Sequence, residues 1–207
     1  MSELSYHTLS GPAEGFYKEK GSKFLAFAYP VSSEEDIKKH LEFLRKKYYD
    51  ARHHCFAWML GPDKKQFRAF DDGEPNHSAG DPILGQIRSK NLTDVLIVVV
   101  RYFGGIKLGV GGLIAAYKAA AEDALNHASV IEKEVKEDWV ITFDYAFTSD
   151  VMRLVKELSL TIVSQNFEEQ GELHVDLQLR QKDKLLERLE LMKALGKPID
   201  WNSKTSA

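Results

Sequence analysis

The chain has 207 residues, of which 43% are hydrophobic and 29% charged, a composition typical of a globular protein with one large or two modest domains. Its formal net charge of −3 excludes a global basic field, so any nucleic-acid surface must be a local patch. The chain has a single cysteine, Cys55, which indicates a reducing compartment. It has no apolar signal near Met1 and no apolar run long enough to cross a bilayer. We therefore predict a cytoplasmic protein without membrane contact.

The first third of the chain predicts a hairpin followed by a helix. We expect residues 1–10 to be frayed because they are polar and terminal. Strand-like runs at 15–20 and 23–31 follow, with a turn between them. Ser33 then stands at the cap of a helix whose apolar residues recur at helical spacing over 37–48. Its lysines and arginines favour a solvated face over a binding patch.

The middle of the chain contains the most apolar segment. Strand-like runs at 51–60 and 66–70 predict a second hairpin, and a polar loop occupies 71–82. Residues 93–101 form a β-branched run that is typical of a strand buried on both faces. An alanine-rich helix is predicted at 113–127, where small side chains suit close packing on a sheet.

The last third of the chain predicts a second domain. Alternating glutamate and lysine at 131–138 indicate a linker. The remaining pattern predicts the order strand, helix, strand, strand, helix, strand, which is the ferredoxin-like βαββαβ arrangement. We therefore predict an α+β protein with domains at 1–134 and 135–207.

The segment 101–112 is the strongest candidate binding site. Its five glycines stand between the buried strand and the alanine-rich helix, where they let a ligand approach the backbone closely. A helix start offers unpaired N–H groups and a positive dipole end, which favour anions. The spacing matches neither a P-loop nor a dinucleotide fingerprint. The predicted anion site comprises Arg101, Gly104, Gly105, Lys107, Gly111 and Gly112. The alternative is that the glycines only allow tight helix packing.

Loop 71–82 is the second candidate, and we expect its polar side chains to be exposed. Glu74 and His77 are suited to proton transfer or to metal binding. A metal site needs three or four converging ligands, and this spacing matches no compact motif. A hydrogen-bonded loop without metal is therefore the favoured interpretation.

A third candidate is the pair His53 and Cys55, which share one face of a predicted strand. No third group orients them, so a buried core thiol is favoured over a nucleophile. The sequence contains no complete catalytic motif and predicts no cofactor. It favours a binding protein and leaves an enzyme as the alternative.

Segments 72–84 and 98–117, supported by 18–24 and 51–57, resemble the IMPACT (YigZ-type) family. Residues 76–78 depart from the pattern, since the family often has Gly-Thr there. The resemblance implies a first domain with a fold also seen in a small-subunit ribosomal protein and in elongation factor G domain IV. It implies a second domain similar to a late domain of that factor. Eukaryotic relatives regulate translation through a partner bound by a further N-terminal domain, so that partner is not carried over.

We therefore expect a non-enzymatic, translation-associated regulatory protein that binds RNA or a ribosome-linked partner through its first domain. The alternative is a phosphometabolite- or nucleotide-binding enzyme or sensor. In that case Arg101 and Lys107 hold phosphate while Glu74 or His77 moves a proton. Protein recognition through an exposed sheet face of the second domain is a third possibility. The oligomeric state is not predicted.

Overall fold

The computed structural model describes residues 4–204, and the chain divides into two compact units between Lys133 and Glu134. Both units combine helices with antiparallel sheet, so the predicted α+β class is confirmed. None of the α-helices within residues 4–204 has the length and hydropathy needed to cross a membrane.

The first unit contains seven strands and three helices within the described residues. In chain order these are β1 (Ser5–Leu9), β2 (Ala13–Glu19), β3 (Ser22–Pro30), α1 (Glu34–Lys47), β4 (His53–Leu60), β5 (Gln66–Phe70), α2 (Gly80–Ser89), β6 (Val95–Tyr102), α3 (Gly109–His127) and β7 (Val130–Glu134).

A five-stranded antiparallel sheet in the order β2-β3-β6-β4-β5 forms the centre of this unit. The β-branched run predicted as a doubly buried strand is β6, whose side chains alternate between two cores. Val95, Ile97 and Val99 pack with residues of α2 and α3. Leu96, Val98 and Val100 pack on the opposite face with residues of α1. The sheet is therefore covered by helices on both faces.

Helix α1 begins where the sequence predicts. The Ser33 side chain accepts a hydrogen bond from the backbone N–H of Asp36, as expected of an N-cap. The Asp36 carboxylate accepts from the N–H and hydroxyl of Ser32 instead of from the N–H of Ser33. The reciprocal half of a capping box is thus replaced by a bond to the preceding residue.

Two predictions near the ends of this unit are wrong. Residues 1–3 of the segment predicted to be frayed lie outside the described residues, but Ser5–Leu9 forms β1, which pairs with β7 in a two-stranded sheet, and Leu9 is buried. The predicted linker 131–138 is occupied by β7 and by the start of the next strand. Strands β1 and β7 lie at opposite ends of the unit's sequence, so a local sequence pattern does not reveal that they pair.

The second unit has the predicted βαββαβ order. It contains β8 (Lys136–Phe143), α4 (Thr148–Glu157), β9 (Thr161–Phe167), β10 (Gly171–Gln178), α5 (Lys182–Ala194) and β11 (Ile199–Lys204), with short 3-10 turns before each helix. The sheet order is β11-β8-β10-β9, with antiparallel neighbours. Leu173, Val175 and Leu177 of β10 enter the core, while the residues between them lie on a half-buried polar face.

Candidate functional site

A cavity of about 390 Å³ lies in the first unit, beside the end of β6 and the first turn of α3. This volume lies in the range of small-molecule sites. Its lining residues are Arg52, His53, Glu74, Pro75, Arg101, Phe103, Lys107, Leu108, Gly109, Val110 and Leu113. The residues come from β4 and the turn before it, the loop after β5, the end of β6, and the glycine-rich segment.

The loop after β5 is shaped by the carboxylate of Asp71. Its Oδ1 accepts hydrogen bonds from the N–H groups of Ala79 and Gly80, at 2.9 and 2.8 Å. Its Oδ2 accepts from the N–H of His77 at 2.9 Å. Asp71 therefore caps the N-terminus of α2 from eight residues before the N-cap position. Ala79 occupies that position, and its methyl group cannot accept a hydrogen bond.

The same loop is tied to β4 at its start. The Asp72 carboxylate accepts from the N–H of His54 at 2.7 Å, and Nδ1 of His53 lies 2.8 Å from the Asp72 carbonyl oxygen. These contacts hold the loop against the sheet on the N-terminal side of Glu74. With the Asp71 bonds on its other side, the position of Glu74 is defined from both directions.

Glu74 and Arg101 form a buried ion pair at the cavity. Nη1 of Arg101 donates to Oε1 of Glu74 at 2.5 Å, and the hydroxyl of Tyr117 donates to the same oxygen at 2.8 Å. The side chains of Arg101 and Glu74 are only 7% and 5% exposed. The expectation that the polar side chains of this loop are exposed is therefore wrong for Glu74, because the ion pair and the tyrosine compensate its burial.

This ion pair leaves polar atoms unused. Within residues 4–204, Nη1 is the only nitrogen of the Arg101 guanidinium with a hydrogen bond, and Nε is buried without a partner. Oε2 of Glu74 likewise has no partner in that part of the chain. The guanidinium carbon lies 5.4 Å from the Phe24 ring centroid and 5.6 Å from that of Phe103. The cavity wall thus contains spare donors and a spare acceptor.

Cys55 lies behind this pair and is fully buried. Its Sγ donates to the Asp71 carbonyl oxygen at 3.0 Å and lies 3.3 Å from the Tyr117 hydroxyl. Burial raises the pKa of the thiol, an effect that the Tyr117 hydroxyl only partly opposes. The hydrogen bonds of the His53 ring go to the loop and not to the thiol. The geometry is that of a core thiol, not of a Cys–His nucleophile.

The glycine-rich segment differs from its prediction in where the helix begins. Helix α3 starts at Gly109, so Gly111 and Gly112 lie within its first turn and not before it. Gly105 and Gly109 adopt positive φ angles of 89° and 72°, which glycine tolerates best. A Cβ at Gly104 would lie 2.0 Å from the carbonyl carbon of Gly21. Gly104 is therefore required by close contact with the turn between β2 and β3, which is not the helix packing that the sequence suggested.

The N-terminus of α3 has no side-chain cap within residues 4–204. Leu108 is the N-cap residue, no side chain of that range bonds to the free N–H groups, and the first turn contains no acidic residue. Leu108, Gly109 and Val110 line the cavity, as do Lys107 and Arg52, which are exposed and have no ion pair within the described residues. An uncapped helix start and two unpaired cations thus meet at one cavity, which favours an anion there.

The structure brings together some of the predicted site residues and separates others. Arg101, Lys107 and Glu74 line one cavity. His77 does not: its side chain is 81% exposed and its Nδ1 lies 2.6 Å from Asp81 Oδ2. The four predicted glycines, Gly104, Gly105, Gly111 and Gly112, are not among the residues that line the cavity, whereas Gly109 is. Among residues 4–204, no three His, Cys, Asp or Glu side chains are grouped to hold a metal ion.

Several residues at or beside the cavity were not predicted as part of it, among them Arg52, His53, Phe103 and Tyr117. Arg52 lies just before β4, and His53 is the residue of β4 that lies opposite Arg101 of β6. Phe103 directly follows β6, and Tyr117 reaches Glu74 from two turns into α3. The register of β4 against β6 is the signal that could have found His53, because it places this residue next to Arg101.

The chain is similar in sequence to one family of proteins. The Impact N-terminal domain family matches residues 20–125. IMPACT family member YvyE of Bacillus subtilis is 32% identical over 168 residues, covering 81% of this chain and 77% of the relative. IMPACT family member YigZ of Escherichia coli is 34% identical over 151 residues, covering 72% of this chain and 74% of the relative.

A solved crystal structure of a hypothetical protein superposes with a TM-score of 0.78 at 26% identity, covering 99% of this chain and 100% of that one. The family match includes every residue that lines the cavity. On the strength of that match and of two relatives similar over most of their length, the chain belongs to the IMPACT family.

Proposed function

We propose that this protein is a non-enzymatic, translation-associated regulator that binds RNA at the cavity of its first unit. The observation that carries the proposal is the uncapped N-terminus of α3, which lines the same cavity as Lys107 and Arg52. Free backbone N–H groups and unpaired cations are the groups that recognise phosphate in proteins. Membership of the IMPACT family supports the link to translation.

The cavity also offers a surface for a base. The ring of Phe103 is 44% exposed and lines the cavity beside Arg101. Aromatic side chains next to cations bind single-stranded nucleic acid by stacking and charge together. Because the whole chain carries a net charge of −3, binding has to depend on this local group of cations. The cavity volume of about 390 Å³ points to one nucleotide of a strand entering it.

The experiment measures the affinity for single-stranded RNA by fluorescence anisotropy over a series of salt concentrations. Each lost phosphate contact lowers the slope of log K against log salt by about 0.7 for a single strand. Lys107→Ala is expected to weaken binding and to reduce the slope by about this amount. Lys118→Ala is the matched control, because Lys118 is an exposed lysine of the same helix that does not line the cavity.

The results of these measurements test RNA binding, its location at the cavity and the link to ribosomes separately. Absence of RNA binding at low salt would refute it. Equal losses in Lys107→Ala and Lys118→Ala would mean that RNA binds elsewhere on the surface. Co-sedimentation of the whole protein with ribosomes, repeated with the Lys107→Ala variant, tests the link to translation. If ribosomes retain the protein without free RNA binding, a ribosome-linked protein partner replaces RNA in the proposal.

A second candidate function is a phosphometabolite- or nucleotide-binding enzyme or sensor. The observation that favours it is the buried carboxylate of Glu74 in a cavity of small-molecule size. A small phosphorylated ligand that binds only the native state raises the melting temperature. Thermal-shift measurements with nucleotides and sugar phosphates therefore test it. A shift that is lost in Lys107→Ala, in a protein that does not bind single-stranded RNA, supports this candidate over RNA, and the absence of any shift refutes it.

A further inference from the structure

The cavity contains one acceptor that phosphate recognition does not use. We infer that the Glu74 carboxylate accepts a hydrogen bond from the ribose 2′-hydroxyl of a bound nucleotide, so that the site selects RNA over DNA. This inference rests on the proposed function and assigns the nucleotide's sugar to a named residue. It makes Glu74 a specificity-determining residue and gives it no part in catalysis.

Oε2 of Glu74 is available to accept a hydrogen bond from a ligand. Oε1 of Glu74 is occupied by Arg101 and Tyr117, whereas Oε2 has no hydrogen-bond partner within residues 4–204. The side chain is 95% buried by area and lines the cavity. Oε2 is not among the side-chain atoms that are buried without a partner, so it remains accessible to solvent, and a ligand donor can reach it.

The charges around the cavity decide what kind of donor fits. Arg101, Lys107 and Arg52 line the same space, and Nε2 of His53 lies 3.9 Å from Oε1 of Glu74. A cationic ligand group would be repelled by these side chains, while an anionic group would be repelled by the carboxylate. A neutral donor is the remaining class, and a sugar hydroxyl is such a donor.

Each part of a nucleotide has a matching group in the cavity wall. The helix start and Lys107 suit the phosphate, Phe103 suits the base, and the sugar joins the two. Phe103 contacts the guanidinium of Arg101, which in turn holds Glu74. A carboxylate that accepts from a ribose hydroxyl is an established device in nucleotide sites, and the 2′-hydroxyl is the group that distinguishes RNA from DNA.

Glu74 is also held in place before any ligand arrives. Two donors fix Oε1, and backbone N–H groups that donate to the carboxylates of Asp71 and Asp72 hold the loop on both sides of Glu74. A preorganised acceptor loses little conformational freedom on binding, so its hydrogen bond contributes fully to discrimination.

The experiment compares two oligonucleotides on the unchanged wild-type protein. One is a single-stranded RNA, and the other has the same bases, uracil included, on 2′-deoxyribose. Anisotropy at low salt is expected to show at least about tenfold weaker binding of the deoxy strand, as for a hydrogen bond to a charged group. Equal affinities would overturn the inference while leaving RNA binding intact. No binding of either strand would overturn the proposed function and this inference with it.

A second comparison assigns the discrimination to Glu74. Glu74→Gln keeps an amide oxygen for Arg101 and Tyr117 and is expected to reduce the preference for RNA to less than about threefold, a loss of most of one charged hydrogen bond. Glu122→Gln changes an exposed acid of α3 outside the cavity and should keep the full preference. Full preference in Glu74→Gln would contradict the assignment. Should Glu74→Gln fail to fold, the wild-type comparison of the two strands still tests whether the site prefers RNA.

Discussion

Replacing Gly104 by alanine would place a methyl group against the backbone of the turn between β2 and β3. The added Cβ would lie 2.0 Å from the carbonyl carbon of Gly21, 2.2 Å from the nitrogen of Ser22 and 2.4 Å from the oxygen of Gly21. All three are backbone atoms, so no side chain can rotate away. The glycine-rich segment and the hairpin would have to separate.

The expected cost follows from two contributions. Forcing one extra carbon into a closely packed site costs about 1–3 kcal/mol. Separation would also break the hydrogen bond from the N–H of Gly104 to the Ser22 hydroxyl, at 3.1 Å, and Ser22 is fully buried. That loss adds about 1 kcal/mol. We expect Gly104→Ala to lower the free energy of unfolding of the first unit by about 3 kcal/mol.

The measurement is urea denaturation followed by tryptophan fluorescence. Trp58 lies in the first unit, whereas Trp139 and Trp201 lie in the second, so a Trp139→Phe/Trp201→Phe background reports the first unit alone. For an m-value of about 2 kcal/mol/M, the expected cost lowers the midpoint by about 1.5 M urea.

Gly111→Ala is the matched control. A Cβ at Gly111 meets no atom within 4 Å, and the residue lies in the first turn of α3. Alanine is a better helix former than glycine, so this variant is expected to be stabilised by about 0.5 kcal/mol. The reasoning fails if Gly104→Ala unfolds at the wild-type midpoint, or if both variants shift together.

Two further predictions concern buried titratable groups. Burial lowers the pKa of His54, with a smaller opposing effect from Asp72, so the unfolded chain binds a proton at higher pH than the folded one. The first unit should lose stability as pH falls below about 6.5, and urea midpoints at pH 5 to 7 should depend less on pH in His54→Gln; an unchanged slope would contradict this. The Cys55 thiol, buried and with a raised pKa, should react with a disulfide reagent far more slowly in native protein than in urea. Rapid labelling of folded protein would refute it.

Local pattern was enough to predict much of the fold. The β-branched run at 93–101 is typical of a strand covered on both faces, and it became β6 at the centre of the larger sheet. In the second unit, the predicted order βαββαβ is the order observed. Strand β1 could not be predicted, because its stability depends on pairing with β7 and not on its own polar sequence.

The candidate site could be predicted only in part. Arg101 and Lys107 were identified because cations beside glycines indicate an anion site. Glu74 and His77 could not be told apart, since both are polar residues of one loop. The Asp71 carboxylate, by accepting from the N–H of His77 and from the start of α2, fixes a loop in which Glu74 is buried and His77 exposed. That difference depends on tertiary hydrogen bonds, which short-range patterns do not encode.

The cations of the cavity differ in a way that affects binding kinetics. Lys107 and Arg52 are exposed and without an ion pair in the described part of the chain, so their field extends into solvent and is weakened by salt. Arg101 is buried against Glu74 and is screened much less. Under the proposed function, exposed cations govern the association rate and the buried pair governs the dissociation rate. Raising the salt concentration would then slow the arrival of RNA more than it shortens the lifetime of the complex.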